Sequence, residues 1–176
     1  MKFHELNSKA QEVAKKNHIR SLARWRRELL EAFIPAELGR RGLANVELEE
    51  YPEEADEMRL HGPDFNATIP PSFIFHVASK KGIALREDEI IATRARCSFL
   101  NPCTDTMPFI CIVQLTPMPE QNGEWLATVL GTEIEKIRKS VGDEAAWEIE
   151  NQNSDKVICH DLYLNDFDFD SKGEIL

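Results

Sequence analysis

The sequence lacks the features of an extended, repetitive or membrane-spanning chain. Glycine is scarce, with eight among 176 residues, and the hydrophobic fraction of 42% is that of an ordinary globular protein. We therefore expect an ordered chain, except at its ends. The longest apolar run, Phe109-Ile110-Cys111-Ile112-Val113, is far shorter than a membrane span. A chain of this length buries about 70% of the surface that its unfolded form exposes, so it needs no disulfide or metal to fold.

Cysteine is also scarce, and its spacing excludes the common metal-binding knuckles. The four cysteines are Cys97, Cys103, Cys111 and Cys159. None forms a CxxC pair, and even with His160 beside Cys159 the intervals match neither zinc ribbons nor zinc fingers. The first residues, Met1–Glu5, contain no apolar stretch of the kind found in a secretory signal. We therefore expect a reduced, cytoplasmic protein without a metal or a cofactor.

The main linear signatures of catalysis are missing as well. The chain has no GxGxxG, GxxxxGK[ST], HExxH or GxSxG sequence. Cys103 could form a nucleophilic pair with His76 or His160, but no neighbouring residue would lower the pKa of its thiol. A catalytic site, if there is one, must be assembled from residues that are distant in the sequence.

The C-terminal segment has only part of a calcium-loop pattern. Asp166, Asp168 and Asp170 occupy positions 1, 3 and 5, but position 6 is Ser171, where such a loop requires glycine. The alternation favours an edge strand instead, with the phenylalanines between the aspartates facing inward and the aspartates blocking further strand pairing.

What the sequence does have is a strongly uneven distribution of charge. Residues 1–43 carry ten Lys and Arg against five Glu, a net charge of +5. Residues 44–176 carry eleven Lys and Arg against 26 Asp and Glu, a net charge of −15. Such an asymmetry gives information about binding partners, because charges attract or repel them through long-range electric fields. It gives none about the fold. It divides the chain into a basic helical arm, residues 1–43, and an acidic α+β domain, residues 44–176.

Hydrophobic periodicity predicts the α+β class. Residues 1–33 follow helical spacing, with a joint at Asn17-His18 and an end at Ile34-Pro35, because the residue before proline is displaced from helical geometry. Alternating or continuous apolar patterns predict strands at residues 46–48, 72–78, 89–99, 109–116 and 156–164. Adjacent strands with short connections favour an antiparallel meander. We therefore expect an N-terminal helical arm followed by a sheet of about four to five strands with one or two packed helices.

The segment 124–141 is ambiguous between one helix and a strand followed by a helix. Its helical face consists of Leu126, Leu130, Ile134, Ile137 and Val141. Against this, Gly131 costs about 1 kcal/mol in a helix interior relative to alanine. Thr132 with Glu135 also forms a capping box that would leave 125–130 as a strand. We favour one helix, followed by a short one over 143–151.

The first candidate interaction surface is a run of carboxylates that we call the acidic run. It consists of Glu47, Glu49, Glu50, Glu53, Glu54, Asp56 and Glu57. No Lys or Arg interrupts it. Clustered carboxylates attract a basic partner over a Debye length, about 8–10 Å at ordinary salt. A merely solvated loop has the same composition, so the sequence leaves both interpretations open.

The second candidate surface is the basic face of the N-terminal helices. Its residues are Lys16, Arg20, Arg24 and Arg27, which share one face if the helix is continuous. Such a row can follow the phosphates of a nucleic acid. It can equally dock on the acidic part of the same chain or of a second copy.

Together these patterns favour a non-catalytic binding protein, an adaptor, inhibitor or regulator, that acts through protein–protein contacts of the acidic run. The expected partner has a basic surface, and the opposite charges of the two segments also favour a homodimer. Two alternatives stay open: nucleic-acid binding by the basic helices, and a small enzyme whose site is not visible as a linear motif. No association with a membrane is expected.

Overall fold

A computed structural model describes residues 1–49, 54–100 and 110–176 of the chain, and of Trp25, Leu100 and Ile110 it describes the backbone. Within these residues the fold is α+β, as predicted, with seven α-helices and a four-stranded antiparallel sheet. The helices are α1 (Ser8–Ser21), α2 (Ala23–Arg40), α3 (Ala55–His61), α4 (Pro71–Lys81), α5 (Glu87–Ala92), α6 (Gly123–Gln152) and α7 (Asp155–Leu164). The strands are β1 (Ala44–Leu48), β2 (Phe65–Ile69), β3 (Arg94–Leu100) and β4 (Ile110–Thr116).

The chain forms two compact units. Unit 1 contains residues 1–30 and 147–176, and unit 2 contains residues 31–146. Unit 2 holds the whole sheet, whereas unit 1 holds α1 and α7. The charge-based division at residue 43 describes the sequence and stays a prediction.

The sheet is a meander in which consecutive strands pair in the order β1-β2-β3-β4. β3 and β4 pair along their full length, beginning with Arg94 opposite Thr116. In β2 the buried residues Phe65, Ala67 and Ile69 alternate with half-buried polar ones, which is the pattern of a strand with one face on a core. The sequence interpretation overlooked β2, which begins eight residues after the last carboxylate of the acidic run.

The predicted strand at residues 72–78 is wrong, because this segment is the helix α4. Phe73, Ile74 and Val77 are buried, and their spacing is that of one helix face. Phe73 and Val77 also fit the alternation of a strand, which misled the prediction. The flanking residues carry the correct signal: Pro71 occupies the first helical position, and Gly82 ends the helix in the left-handed conformation.

The predicted strand at residues 89–99 is correct only in its second half. Its first half belongs to α5, in which Ile90 is buried. The Thr93 hydroxyl donates a hydrogen bond to the Glu89 carbonyl oxygen at 2.7 Å, where the helix ends. β3 then begins at Arg94.

α2 continues through Pro35 to Arg40, so the predicted helix end at Ile34 is wrong. Proline removes one backbone hydrogen bond and usually ends a helix. Here Leu30, Ile34 and Leu38 are all nearly inaccessible to solvent, and they form one stripe on both sides of the proline. Burial of this stripe outweighs the lost hydrogen bond. The joint between the first two helices lies at Leu22, not at Asn17-His18.

α6 is one continuous helix of 30 residues, which confirms the favoured interpretation of 124–141 and includes the short helix predicted at 143–151. Gly131 has a packing role, because a Cβ atom there would lie 3.3 Å from the carbonyl oxygen of Cys111. The glycine thus lets α6 approach β4 closely. Neither α6 nor any other helix of the described residues has the length and apolar character needed to cross a bilayer.

Unit 1 contains the third wrongly predicted strand, because residues 156–164 form the helix α7. Ser154 caps this helix by accepting a hydrogen bond from the Val157 amide at 3.4 Å. Ile158 and Leu162 are buried one turn apart. The core of the unit consists of Phe3, Leu6, Ala10, Ala14, Ile158, Leu162 and Phe169.

The C-terminal segment is fixed to the N-terminus. The Phe169 amide donates to the Met1 carbonyl oxygen at 2.8 Å, and the Met1 ammonium group donates to the Phe169 carbonyl oxygen at 3.0 Å. Phe169 is buried against Phe3. In place of the edge strand predicted at 166–170, the described residues form a single bridge between Phe169 and Ile175.

Candidate partner-binding surface

The described part of the acidic run lies on one strand and one helix of unit 2. Glu47 belongs to β1 and Glu49 directly follows it, whereas Glu54 precedes α3 and Asp56 and Glu57 form its first turn. All five are exposed. The remaining two carboxylates, Glu50 and Glu53, lie outside the described residues.

β1 presents its carboxylates on a solvent-accessible sheet edge. Asn45, Glu47 and Glu49 are exposed, whereas Val46 and Leu48 between them are half-buried. β1 is an outer strand of the sheet, and within the described ranges no other strand pairs with its outer side. The pairing with β2 contains an irregularity between Ala44 and Glu47. A short, charged and irregular edge resists pairing with an identical strand, because glutamates would face glutamates.

α3 holds the other carboxylates on an anchored segment. Met58 is fully buried, so the helix is fixed by its apolar side while Asp56 and Glu57 point to solvent. A Cβ atom on Gly142 of α6 would lie 2.6 Å from the Met58 carbonyl oxygen and 2.8 Å from the Gly62 Cα. The backbones of α3 and α6 therefore touch at a point where no side chain fits.

Arg138 of α6 fixes the connection between α3 and β2. Its side chain is 3% exposed and donates to the Pro63 carbonyl oxygen at 2.8 Å and to Asp64 Oδ1 at 2.6 Å. Its guanidinium carbon lies 4.4 Å from the ring centroid of Phe99. The Asp64 carbonyl oxygen in turn accepts from the Glu49 amide at 2.9 Å. Arg138 therefore anchors the segment between α3 and β2 and, through Asp64, the backbone at Glu49.

Glu135 lies one turn before Arg138, and its partial burial disfavours the charged form of its carboxyl group. Burial raises its pKa, although Arg138 Nη1 at 3.5 Å acts in the opposite direction. One of its oxygens, Oε1, is buried without a hydrogen-bond partner among the described atoms. Glu135 thus lowers stability in its charged form.

Few cations neutralise the described part of the acidic run. Asp56 is 3.9 Å from Arg59, and Glu49 accepts a hydrogen bond from the Asn66 amide group. Within the described residues no ion pair involves Glu47, Glu54 or Glu57. Their charges therefore remain available to an external cation.

The basic face of the N-terminal helices is differently arranged. The helix is interrupted at Leu22, between Arg20 and Arg24. Arg24 donates to Glu28 at 3.1 Å, and Lys16 and Arg20 border a groove that also contains Glu12 and Asp155. Arg27 is exposed, and the side chain of Trp25 lies outside the described residues. Lys16, Arg20 and Arg24 therefore share their surroundings with carboxylates of the same unit.

Other cations of unit 1 are directly paired. Lys2 bridges Asp166 at 3.2 Å and Asp168 at 3.0 Å. Lys15 bridges Glu12 at 3.0 Å and Asp155 at 2.6 Å, and this contact lowers the pKa of Asp155. Much of the basic charge at the N-terminus is therefore neutralised by acidic residues of α1, α7 and the C-terminal segment.

Three of the four cysteines lie within the described residues. Cys97 is buried and Cys111 half-buried, and their thiols are hydrogen-bonded, which lowers the pKa of Cys97 and raises that of Cys111. Cys159 Sγ lies 3.8 Å from Asp155. Cys103 lies outside the described residues, so its pairing with His76 or His160 stays a prediction. In the described part of the chain, no three His, Cys, Asp or Glu side chains form a group that could hold a metal ion.

Sequence reasoning identified the carboxylates of the acidic run but not the residues that support them. Arg138 lies 74 residues after Asp64 in the sequence, and the contacting glycines Gly62 and Gly142 are similarly far apart. No local pattern links them, and only the fold brings them together. No family model, curated protein or solved structure matches the chain.

Proposed function

We propose that the protein is a non-catalytic binding protein, an adaptor, inhibitor or regulator, whose acidic run engages a basic segment of a partner protein. One observation carries the proposal: Glu47, Glu54 and Glu57 are exposed, make no ion pair within the described residues and lie on an anchored backbone. Exposed carboxylates without internal ion pairs can bind a cationic partner without first breaking such pairs.

The partner is expected to be rich in Lys and Arg. Charged groups at the rim of an interface act mainly through long-range attraction, which raises the association rate and decreases with ionic strength. The interaction should therefore be fast and strongly salt-dependent. Its affinity then depends on how many carboxylates are contacted at once.

The test measures binding of a fluorescein-labelled peptide of alternating lysine and serine to the full chain at low and at ordinary salt. The charge-reversed variant Glu47→Lys/Glu54→Lys/Glu57→Lys should lose at least about tenfold in association rate at low salt. A matched control reverses Glu87, Glu124 and Glu174, which are exposed carboxylates elsewhere in the chain without an ion pair in the described residues. An equal loss in both variants would show that only net charge matters and would contradict the proposal.

We also propose that the protein forms a two-fold homodimer in a reducing compartment, the cytoplasm. The support is the separation of net charge along the chain, +5 over residues 1–43 and −15 over residues 44–176, which makes two copies electrostatically complementary. Light scattering at micromolar concentration should give about twice the chain mass of 20.1 kDa. A 20.1 kDa species at both low and high salt would contradict the dimer.

A further inference from the structure

Apart from the acidic run, unit 2 contains a concave surface, which we call the cationic groove. It lies between the C-terminal end of α2, the length of α4 and the middle of α6, and its volume is about 540 Å³. Sites for small molecules have volumes of about 300–1,000 Å³. The groove is thus large enough for a small organic ligand, and none of its residues belongs to the acidic run.

The charge of the groove is opposite to that of the whole chain. Arg40, Arg41, Lys80 and Lys136 line it, with Glu133 as the one acidic lining residue of the described chain. The chain as a whole carries a net charge of −10. Even with Glu37 and Glu144, which bind the two arginines, the four cations exceed the carboxylates by one, and this local excess of positive charge favours an anion.

Two buried or half-buried carboxylates hold the arginines in place. Glu37, whose side chain is 10% exposed, binds both Arg40 and Arg41, and Arg41 also binds Glu144. Lys136 is 2.9 Å from Glu133, and Lys80 makes no ion pair with a described residue. The head groups are therefore positioned before a ligand arrives, and Lys80 contributes a charge that no carboxylate of the described chain neutralises.

The floor of the groove is apolar. It consists of Phe73 and Val77, which are buried, and Ile137, which is half-buried. Hydroxyl groups of Ser72 and Ser140 lie at its sides and can donate hydrogen bonds. An apolar floor with cations and hydroxyls at its sides suits a ligand with a flat apolar body and an anionic group.

We propose that the cationic groove binds a small organic anion, with an aromatic or aliphatic body on Phe73, Val77 and Ile137 and a phosphate, sulfonate or carboxylate between Lys80, Lys136 and Arg40. The site is independent of the acidic run and of any protein partner. Its ligand contains both parts, so an inorganic anion alone should bind weakly.

The test uses 8-anilinonaphthalene-1-sulfonate, a fluorescent aromatic sulfonate, titrated into the full chain. Lys80→Ala/Lys136→Ala should weaken its binding at least about tenfold, because two of the four cations are lost. The matched control is Lys139→Ala/Lys172→Ala, which removes two exposed lysines outside the groove and should change binding less than about twofold. Circular dichroism and a cooperative unfolding transition verify the fold of each variant.

A second pair of variants tests the site without changing charge. Ser140→Phe fills the groove and should weaken probe binding, whereas Ser79→Phe places the same side chain on α4 outside the groove and should not. Phenyl phosphate should displace the probe at a concentration at least about tenfold lower than inorganic phosphate does, because it also covers the floor. Equal binding by the wild type and both groove variants, or equal displacement by the two phosphates, would overturn the proposal.

Discussion

The acidic run of unit 2 and the N-terminal segment of unit 1 carry opposite charges. They also differ in which of their charged side chains form ion pairs within the fold. In unit 1, Lys2 and Lys15 are bound to aspartates, and Arg24 is bound to Glu28. In the acidic run, Glu47, Glu54 and Glu57 have no ion-pair partner among the described residues. Lys16 and Arg20 of the basic face are, like these three glutamates, exposed and without an ion pair in the described residues. The number of like charges in a segment therefore overstates the charge that the fold leaves available to a partner.

The two regions also differ in how they are supported. The described part of the acidic run lies on segments that are fixed by buried contacts of Met58, Gly62 and Arg138. The basic helices are interrupted at Leu22, so their cations do not form one regular row. A supported array of charges loses less conformational freedom on binding, which favours the acidic run.

The largest expected effect comes from removing the support of the acidic run. Arg138→Ala should lower the free energy of unfolding by about 3 kcal/mol or more, since it leaves Asp64 and the Pro63 carbonyl group without their buried partner. Lys139→Ala, an exposed neighbour on the same helix, should change it by less than about 0.5 kcal/mol. Urea unfolding monitored by circular dichroism measures both. Equal effects would show that Arg138 does not anchor this region.

Two glycines in helices should respond to alanine with opposite signs. Gly142→Ala should destabilise by about 1–3 kcal/mol, because the new methyl group meets the backbones of Met58 and Gly62. Gly39→Ala in α2 meets nothing within 4 Å and should stabilise by up to about 1 kcal/mol through helix propensity. The same urea experiment measures both differences. A stabilising Gly142→Ala would contradict the close contact between α3 and α6.

The pH dependence of stability should distinguish a paired carboxylate of unit 1 from a half-buried one of unit 2. Lys15 lowers the pKa of Asp155 below its ordinary value of 3.8, so the stabilisation is present above that pH and is lost as the pH falls through the lowered pKa. Asp155→Asn should therefore lower Tm at neutral pH and have little effect at a pH well below 3.8.

For Glu135 the sign is reversed. Burial raises its pKa above the ordinary value of 4.5, so stability is lost as the pH rises through the raised pKa. Glu135→Gln should raise Tm at neutral pH, with a gain that disappears below the ordinary pKa. Differential scanning calorimetry across the acidic range measures both variants. A loss of Tm on Glu135→Gln at neutral pH would contradict the assignment.

The smallest effect is expected where the acidic run itself is changed. Glu47→Lys/Glu54→Lys/Glu57→Lys should change the free energy of unfolding by less than about 1 kcal/mol, because exposed charges contribute little to stability. The same substitutions strongly affect binding under the proposed function. A large loss of stability would show that these carboxylates are part of the fold rather than a surface for a partner.

The sequence predicted the fold class, β1, β4 and the long helix α6, because each has a long or unambiguous apolar pattern. It misassigned α4 and α7, in which apolar residues spaced for a helix also fit an alternation over a few residues. Helix-end signals were decisive in both: Pro71 with Gly82 for α4, and Ser154 for α7. The continuation of α2 through Pro35 depends on tertiary burial, which no local pattern contains.

The candidate site could also be predicted only in part from the sequence. Carboxylates of the acidic run are visible in the sequence because they are contiguous. Arg138 and Glu144 appear there only as charged positions of a helix, and their roles arise from contacts with residues about 75 and 103 positions away. Long-range contacts of this kind decide which charges are neutralised.

Hydrogen–deuterium exchange of the full chain, with and without the lysine–serine peptide, tests the central claim most directly. The account predicts slower exchange at residues 44–49 and 54–61, which carry the described part of the acidic run, and no change at residues 8–30 of the basic helices. The charge-reversed variant of Glu47, Glu54 and Glu57 should lose this protection. Protection confined to residues 8–30, or binding of single-stranded RNA there in place of the peptide, would contradict the account and favour nucleic-acid recognition by the basic helices.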